Sequence, residues 1–288
     1  MNFGRVLTAM VTPFNPNGEI DYEQTDLLIE YLLDNGTDGL VIAGTTGESP
    51  TLSVEEKVAL FKHVVKVVNK RVPIIAGTGS NSTLASIRLT EEAEKCGVDA
   101  VMLVAPYYNK PDQKGMYEHF KAIANATSLP VMLYNIPGRS VVKLTAETII
   151  QLSNIPNIVS VKESTGDLDQ ATEIIENTRE DFSLYSGDDS MTLPMLAIGA
   201  NGIISVASHI IGNEMQQMVN HYLNGEVKQA AALHRKLVPI MNALFTSPSP
   251  TPVKAALQMK GIETGSVRLP LLPLSDEARD ILKEKIDL

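Results

Sequence analysis

A single cysteine, Cys96, stands in 288 residues. One thiol cannot close an internal disulfide, so the chain is expected in a reducing compartment, the cytoplasm. Cys96 ends a helical pattern just before Gly97 and reads as a packing residue. Basic charge is also short: the net charge is −10, and lysines alternate with acids, so no face is offered to a phosphate backbone and nucleic-acid binding is excluded. No apolar run approaches a membrane span, and Met1–Phe14 carries Arg5 without the apolar core of a signal peptide. The five histidines are scattered, with no His-x-x-x-His or Cys-x-x-Cys spacing, so no metal site is expected. No Gly-x-Gly-x-x-Gly follows the first strand. Gly77-Thr78-Gly79-Ser80-Asn81 lacks both the third glycine and the Lys-Ser/Thr of a phosphate loop, and reads as a strand-to-helix turn.

What is present is a regular alternation. At 44% hydrophobic and 20% charged residues, the composition is that of an ordinary globular protein. Short apolar runs predict strands over Val6–Met10, Gly39–Ala43, Pro73–Gly77, Ala100–Val104, Pro130–Asn135, Ile158–Glu163, Phe182–Ser186 and Gly202–Val206. Their starts recur every roughly 20 to 35 residues, room for one strand, one loop and one helix. Helical patterns cover Thr25–Asn35, Ser53–Asn69, Ser82–Cys96, Gly115–Thr127 and Thr145–Ser153. Ser53 and Glu56 have capping-box spacing. Eight uninterrupted βα units predict an α/β fold, a closed (β/α)8 TIM barrel over residues 1–224. From Gly225 the pattern predicts an all-helical appendage, residues 225–288, entered through the stiff connector Ser247–Pro252.

In such a barrel chemistry sits at the C-terminal strand ends. Those ends carry Gly44-Thr45-Thr46-Gly47-Glu48, Pro106-Tyr107-Tyr108-Asn109, Tyr134-Asn135-Ile136-Pro137-Gly138-Arg139, Lys162-Glu163-Ser164 and Ser186-Gly187-Asp188. Lys162 is the most telling, because its strand Ile158–Glu163 is otherwise built to be buried. Burial disfavours an ammonium, and a neutral lysine amine condenses with carbonyls to form a Schiff base. Read singly, each element has a plain alternative. Lys162 could sit on an edge strand with its head in solvent, Gly44–Gly47 could be only a tight turn, Tyr134 a satisfied core tyrosine and Arg139 a surface charge. Taken together, small residues with free N–H groups suit a carboxylate, a tyrosine one strand from Lys162 suits proton transfer, and an arginine after Pro137-Gly138 suits a second carboxylate. Glu163 alternates away from Lys162 and is read as structural.

Three of these segments, Gly44–Glu48, Tyr134–Arg139 and Val161-Lys162-Glu163, resemble signatures of the pyruvate-dependent class I aldolase barrels, the N-acetylneuraminate lyase superfamily. The similarity spans essentially the whole chain, including the helix start Pro250–Ala256, and within the superfamily is strongest to the dihydrodipicolinate synthase family. It implies condensation of pyruvate with L-aspartate 4-semialdehyde to 4-hydroxy-tetrahydrodipicolinate, entering diaminopimelate and lysine biosynthesis. Lys162 would form the imine and Tyr134 would act as general acid/base. Thr46 would link Tyr134 to Tyr108, lent by a neighbouring subunit. The N–H groups of Thr45 and Thr46 would hold pyruvate's carboxylate, Arg139 that of the semialdehyde, and main-chain groups of Gly187 and Ile204 would line the pocket. The resemblance also implies no metal or organic cofactor beyond the covalent pyruvate imine, and a homo-oligomer, a tetramer built as a dimer of dimers or a dimer. Its first and third motifs are shared with lyases and aldolases of sialic acids and 2-keto-3-deoxy sugar acids, the alternative reading, whereas Arg139 belongs to the synthase. Relatives that bind free lysine as an inhibitor do so near the helix after Gly44–Glu48. This chain keeps Ser49, Asn81 and Tyr107 there but has Val54, Lys57 and Ala85 at the remaining positions, so insensitivity to lysine is expected.

Overall fold

In the computed structural model, which describes residues 2–286, the strands are β1 Val6–Ala9, β2 Gly39–Ile42, β3 Ile74–Gly77, β4 Ala100–Val104, β5 Val131–Asn135, β6 Ile158–Glu163, β7 Ser183–Ser186 and β8 Gly202–Ser205. They close in sequence order into one barrel, every neighbouring pair parallel. The TIM barrel expected from the alternation is the fold observed, with strand limits within a residue or so of those read from the sequence. Its helices are α1 Tyr22–Asp34, α2 Val54–Val68, α3 Thr83–Cys96, α4 Gln113–Ala124, the single turn α5 Pro137–Ser140, α6 Ala146–Ser153, α7 Leu168–Asn177, α8 Thr192–Ala197 and α9 Ser208–Leu223. Beyond the barrel follow α10 Val227–Ala243, α11 Thr251–Met259 and α12 Asp276–Ile286.

Strand alternation divides the apolar residues into two cores. Leu7, Val41, Ile75, Met102, Met132, Tyr185 and Ile204 fill the barrel interior, while Val6, Leu40, Ile74, Val101, Leu133 and Val161 meet the surrounding helices. Buried on both faces, such strands read as continuous apolar runs. Local signals set the helix ends. Ser53 Oγ accepts from Glu56 N–H at 3.1 Å while Glu56 Oε2 accepts from Ser53 N–H at 2.8 Å, the capping box expected at α2. Asp21 Oδ1 accepts from Gln24 N–H at 3.0 Å, so α1 starts three residues before Thr25, where its apolar pattern begins.

The C-terminal segment departs from the all-helical expectation. Between α11 and α12, residues 260–275 form no helix. Gly261 and Gly265 take positive φ there, and Pro270 and Pro273 donate no backbone hydrogen bond. The stretch returns to the barrel instead: Phe14 N–H donates to Thr264 C=O at 3.1 Å. The last two residues of the expected helical segment, 287 and 288, lie outside the described residues. No helix among the described residues is long and apolar enough to cross a membrane.

Candidate active site

Register decides which side chains meet. Tyr134 on β5 pairs with Lys162 on β6, and Lys162 with Tyr185 on β7, so the three occupy one layer of the interior. Lys162 is 5% exposed, and its Nζ lies 4.4 Å from the centroid of the Tyr134 ring. The edge-strand alternative for Lys162 is thereby removed. Tyr134 is buried too, yet its hydroxyl has no hydrogen-bond partner among the described residues, and neither has the Lys162 amine.

Above them, a cavity of about 300 Å³ is lined by Thr45, Lys57, Met102, Tyr107, Tyr134 and Arg139, among others. Lys162 is not in its wall; it lies against Tyr134 below. The turn after β2 needs Gly47: a Cβ there would come within 3.1 Å of Ala43 N and Met10 O. Thr12 Oγ1 donates to Gly47 C=O at 2.7 Å. Glu48 N–H donates to Thr45 C=O and Ser49 N–H to Gly44 C=O, each at 3.1 Å. The N–H groups of Thr45 and Thr46 donate to nothing among the described residues. Thr46 itself is buried. Arg139 is exposed into the cavity from the single turn α5, which Ser140 secures by donating through Oγ to the carbonyls of Ile136 and Val142 at 2.9 and 2.8 Å.

Ile204 is buried in the interior layer. Gly187, next to Lys162, leaves no room for a side chain: a Cβ there would stand 1.7 Å from Ser164 Oγ and 2.9 Å from Lys162 Cε. Gly187→Ala should therefore push the lysine stem out of line and lower kcat/KM at least tenfold, since ångström-scale misplacement of a reacting group costs on that scale or more. Steady-state rates with a circular-dichroism check of folding test it; a variant with the parent's rate would show that the lysine has slack. Tyr108 is the one expected residue the fold does not bring in. It is 88% exposed with φ of 71° and does not line the cavity of its own barrel, while its neighbour Tyr107 does.

Of two acids beside Lys162, the sequence reading placed Asp188 at the end of its strand without a role and passed over Asp189. Burial pushes the carboxyl groups of Asp188 and Asp189 up, and the Lys162 charge pulls both partly back. Asp189 accepts from Ser205 Oγ and from the N–H groups of Val206 and Ala207 at 3.2 and 3.0 Å, locking the end of β8 to the turn after β7. The available signal was a doublet of acids immediately after an apolar strand. Glu163 does point outward, as alternation requires. Its oxygens accept from Asn135 Nδ2, Gln170 Nε2 and Thr165 N–H at 3.0, 3.1 and 2.8 Å. Burial raises its carboxyl above the usual range against the pull of these bonds.

Among the described residues no group of three or more His, Cys, Asp or Glu could hold a metal ion. The model of the dihydrodipicolinate synthetase family matches residues 2–288. The 4-hydroxy-tetrahydrodipicolinate synthase 2 of Halalkalibacterium halodurans is 64% identical over 100% of this chain and 98% of its own, and that of Bacillus subtilis 61% identical over 99% of each. A crystal structure of dihydrodipicolinate synthase from Bacillus anthracis superposes with a TM-score of 0.98 at 62% identity, covering 99% of this chain and 98% of that one. A barrel of this topology, carrying Tyr134 and Lys162 near the C-terminal ends of β5 and β6 and Arg139 on the turn α5 that follows β5, and matched over residues 2–288, belongs to the dihydrodipicolinate synthetase family.

Proposed function

We propose that the protein condenses pyruvate with L-aspartate 4-semialdehyde to 4-hydroxy-tetrahydrodipicolinate, through an imine on Lys162, at the entry to diaminopimelate and lysine biosynthesis. The observation that carries this is a buried lysine amine 4.4 Å from the Tyr134 ring, beside a cavity lined by Gly44, Thr45 and Arg139. Lys162 Nζ attacks the ketone carbon of pyruvate. Proton transfers through Tyr134 turn the carbinolamine oxygen into a leaving water, and the imine forms. Loss of a methyl proton gives the enamine, whose carbon adds to the aldehyde. Attack of the semialdehyde's own amine on the imine carbon then closes the ring and frees Lys162. The imine is the electron sink, so the chemistry calls on no metal or organic cofactor. The free N–H groups of Thr45 and Thr46 suit pyruvate's carboxylate, Arg139 that of the aldehyde, and backbone groups at Gly187 and Ile204 complete the wall.

Rates with pyruvate plus the semialdehyde, set against cleavage of N-acetylneuraminate and of 2-keto-3-deoxy sugar acids, test the assignment; faster turnover of a sugar acid would overturn it. The same assay tests regulation. A solved relative from Cyanidioschyzon merolae, 46% identical with a TM-score of 0.97, has lysine bound. Here Lys57 and Arg139 line the cavity and no carboxylate does, which disfavours an ammonium ligand. Millimolar lysine should leave the rate unchanged.

We also propose that the enzyme works as a homo-oligomer, a dimer or a dimer of dimers, in the cytoplasm. An 88% exposed tyrosine held at positive φ is costly for a free chain, and Tyr108 of a second copy would reach Thr46 and Tyr134. Mixing inactive Tyr108→Phe and Lys162→Ala subunits should restore part of the activity; no recovery would assign Tyr108 to its own barrel.

A further inference from the structure

The carboxylate of Glu48 is the last side chain of the turn that carries Thr45 and Thr46, and it points away from the cavity into the protein. Its side chain is 1% exposed and that of Lys254 on α11 is 3% exposed; Lys254 Nζ stands 2.8 Å from Glu48 Oε1. The other oxygen, Oε2, accepts from Arg268 N–H at 2.9 Å, across 220 residues of chain. Lys254 also donates to Ser266 C=O at 2.9 Å and lies 4.2 Å from the centroid of the Phe14 ring, which the Arg268 guanidinium approaches at 4.3 Å. Arg268 in turn donates to Thr51 C=O at 2.8 Å, to Gly18 C=O at 2.7 Å and to Glu56. The turn is thus gripped from behind by the Lys254 ammonium and the Arg268 main-chain N–H, while the Arg268 guanidinium holds Thr51 and Glu56 just beyond it.

Two features separate this from ordinary packing. Ala43 and Glu48, at either end of the turn, both hold left-handed φ, 48° and 56°. Non-glycine residues keep such conformations only where their surroundings over-determine them, and at Glu48 those surroundings are Lys254 and Arg268. A buried ion pair is also a poor device for stability alone, because desolvating both charges offsets most of their attraction and an apolar pair of similar volume serves as well. What a charged pair fixes better is direction. The direction at stake is that of the Thr45 and Thr46 N–H groups, which donate to nothing inside the protein.

We infer that Glu48, Lys254 and Arg268 are positioning residues for the carboxylate of the first substrate: they aim the Thr45–Thr46 N–H groups at it, making α11 and the non-helical stretch that follows it part of the working site. This rests on the assignment of pyruvate to that turn. Burial, with Arg268 nearby, brings the Lys254 ammonium down to about 8 despite the Glu48 charge.

The test compares the parent enzyme with Glu48→Gln/Lys254→Met, which removes both charges and leaves none unpaired, and with Arg268→Gln, a less buried change. Measured for each are the melting temperature, the KM for pyruvate, the KM for the aldehyde, and borohydride trapping of pyruvate on Lys162. The double variant should fold, raise the pyruvate KM tenfold or more, leave the aldehyde KM within twofold, and still trap fully at saturating pyruvate; Arg268→Gln should raise the pyruvate KM about threefold. A folded double variant with the parent's pyruvate KM would overturn the inference. So would an unfolded double variant together with an Arg268→Gln enzyme that binds pyruvate normally, for the contacts would then anchor the fold alone. If the parent enzyme itself traps no pyruvate, the imine assignment fails and takes this inference with it, an outcome distinct from a variant that traps with unchanged KM.

Discussion

Borohydride added to the enzyme with pyruvate should leave a reduced pyruvyl group on the peptide carrying Lys162, and Lys162→Arg should lose activity by on the order of 10⁴-fold, the scale of deleting a covalent nucleophile. The guanidinium keeps a positive charge beside Asp188 and Asp189, whose carboxyls burial raises and the Lys162 charge partly offsets, so the fold should survive. It stays protonated at every working pH and cannot supply the lone pair that attacks a ketone. The comparison therefore separates the charge of Lys162 from its nucleophilicity. Mass spectrometry of the trapped peptide locates the adduct, and circular dichroism verifies the fold. Labelling at another lysine, or an active Lys162→Arg enzyme, would sink the imine mechanism.

Arg139→Ala should affect the second substrate and spare the first. Removing one partner of a close charged pair costs about 2–4 kcal/mol. Because Arg139 is exposed in the cavity wall, the lower end applies, roughly a thirtyfold loss of kcat/KM for the semialdehyde. Trapping of pyruvate on Lys162 should proceed with the parent's concentration dependence, since the Thr45–Thr46 turn is built on β2 and does not depend on α5. Steady-state kinetics with each substrate varied in turn resolve the two effects. A collapse of pyruvate affinity instead would mean that Arg139 holds the first carboxylate.

Much of this architecture is legible in the sequence alone. Eight apolar runs with helix-sized gaps define a parallel barrel because strands buried on both faces cannot alternate in polarity and must be joined by crossovers. Helix ends were legible where the signal is local, as with Ser53 and Glu56 at α2. Short elements were not: the single turn α5 and the brief α8 are too short for helical periodicity to show. The stretch 260–275 reads as helical in sequence because its prolines and positive-φ glycines are spread through segments whose polar spacing still resembles a helix.

For the candidate site, residue type and position near a strand end single out Lys162, Tyr134, Arg139 and the Thr45–Thr46 turn as candidates, because parallel strands carry their chemistry to one rim; their roles come from the family resemblance. The sequence by itself determined this much: strand number and order, the direction of each side chain along its strand, and the residue types at the rim. Tertiary structure alone decided what depends on closing the barrel and folding the C-terminal segment over it. The register Tyr134–Lys162–Tyr185, the crowding at Gly187, the outward exposure of Tyr108 and the grip of Lys254 and Arg268 on Glu48 are all of this kind. Strand alternation is a property of consecutive residues and is written locally. A buried ion pair between a barrel turn and α11 arises only when distant segments share one volume, so nothing near Glu48 in the chain announces its partner.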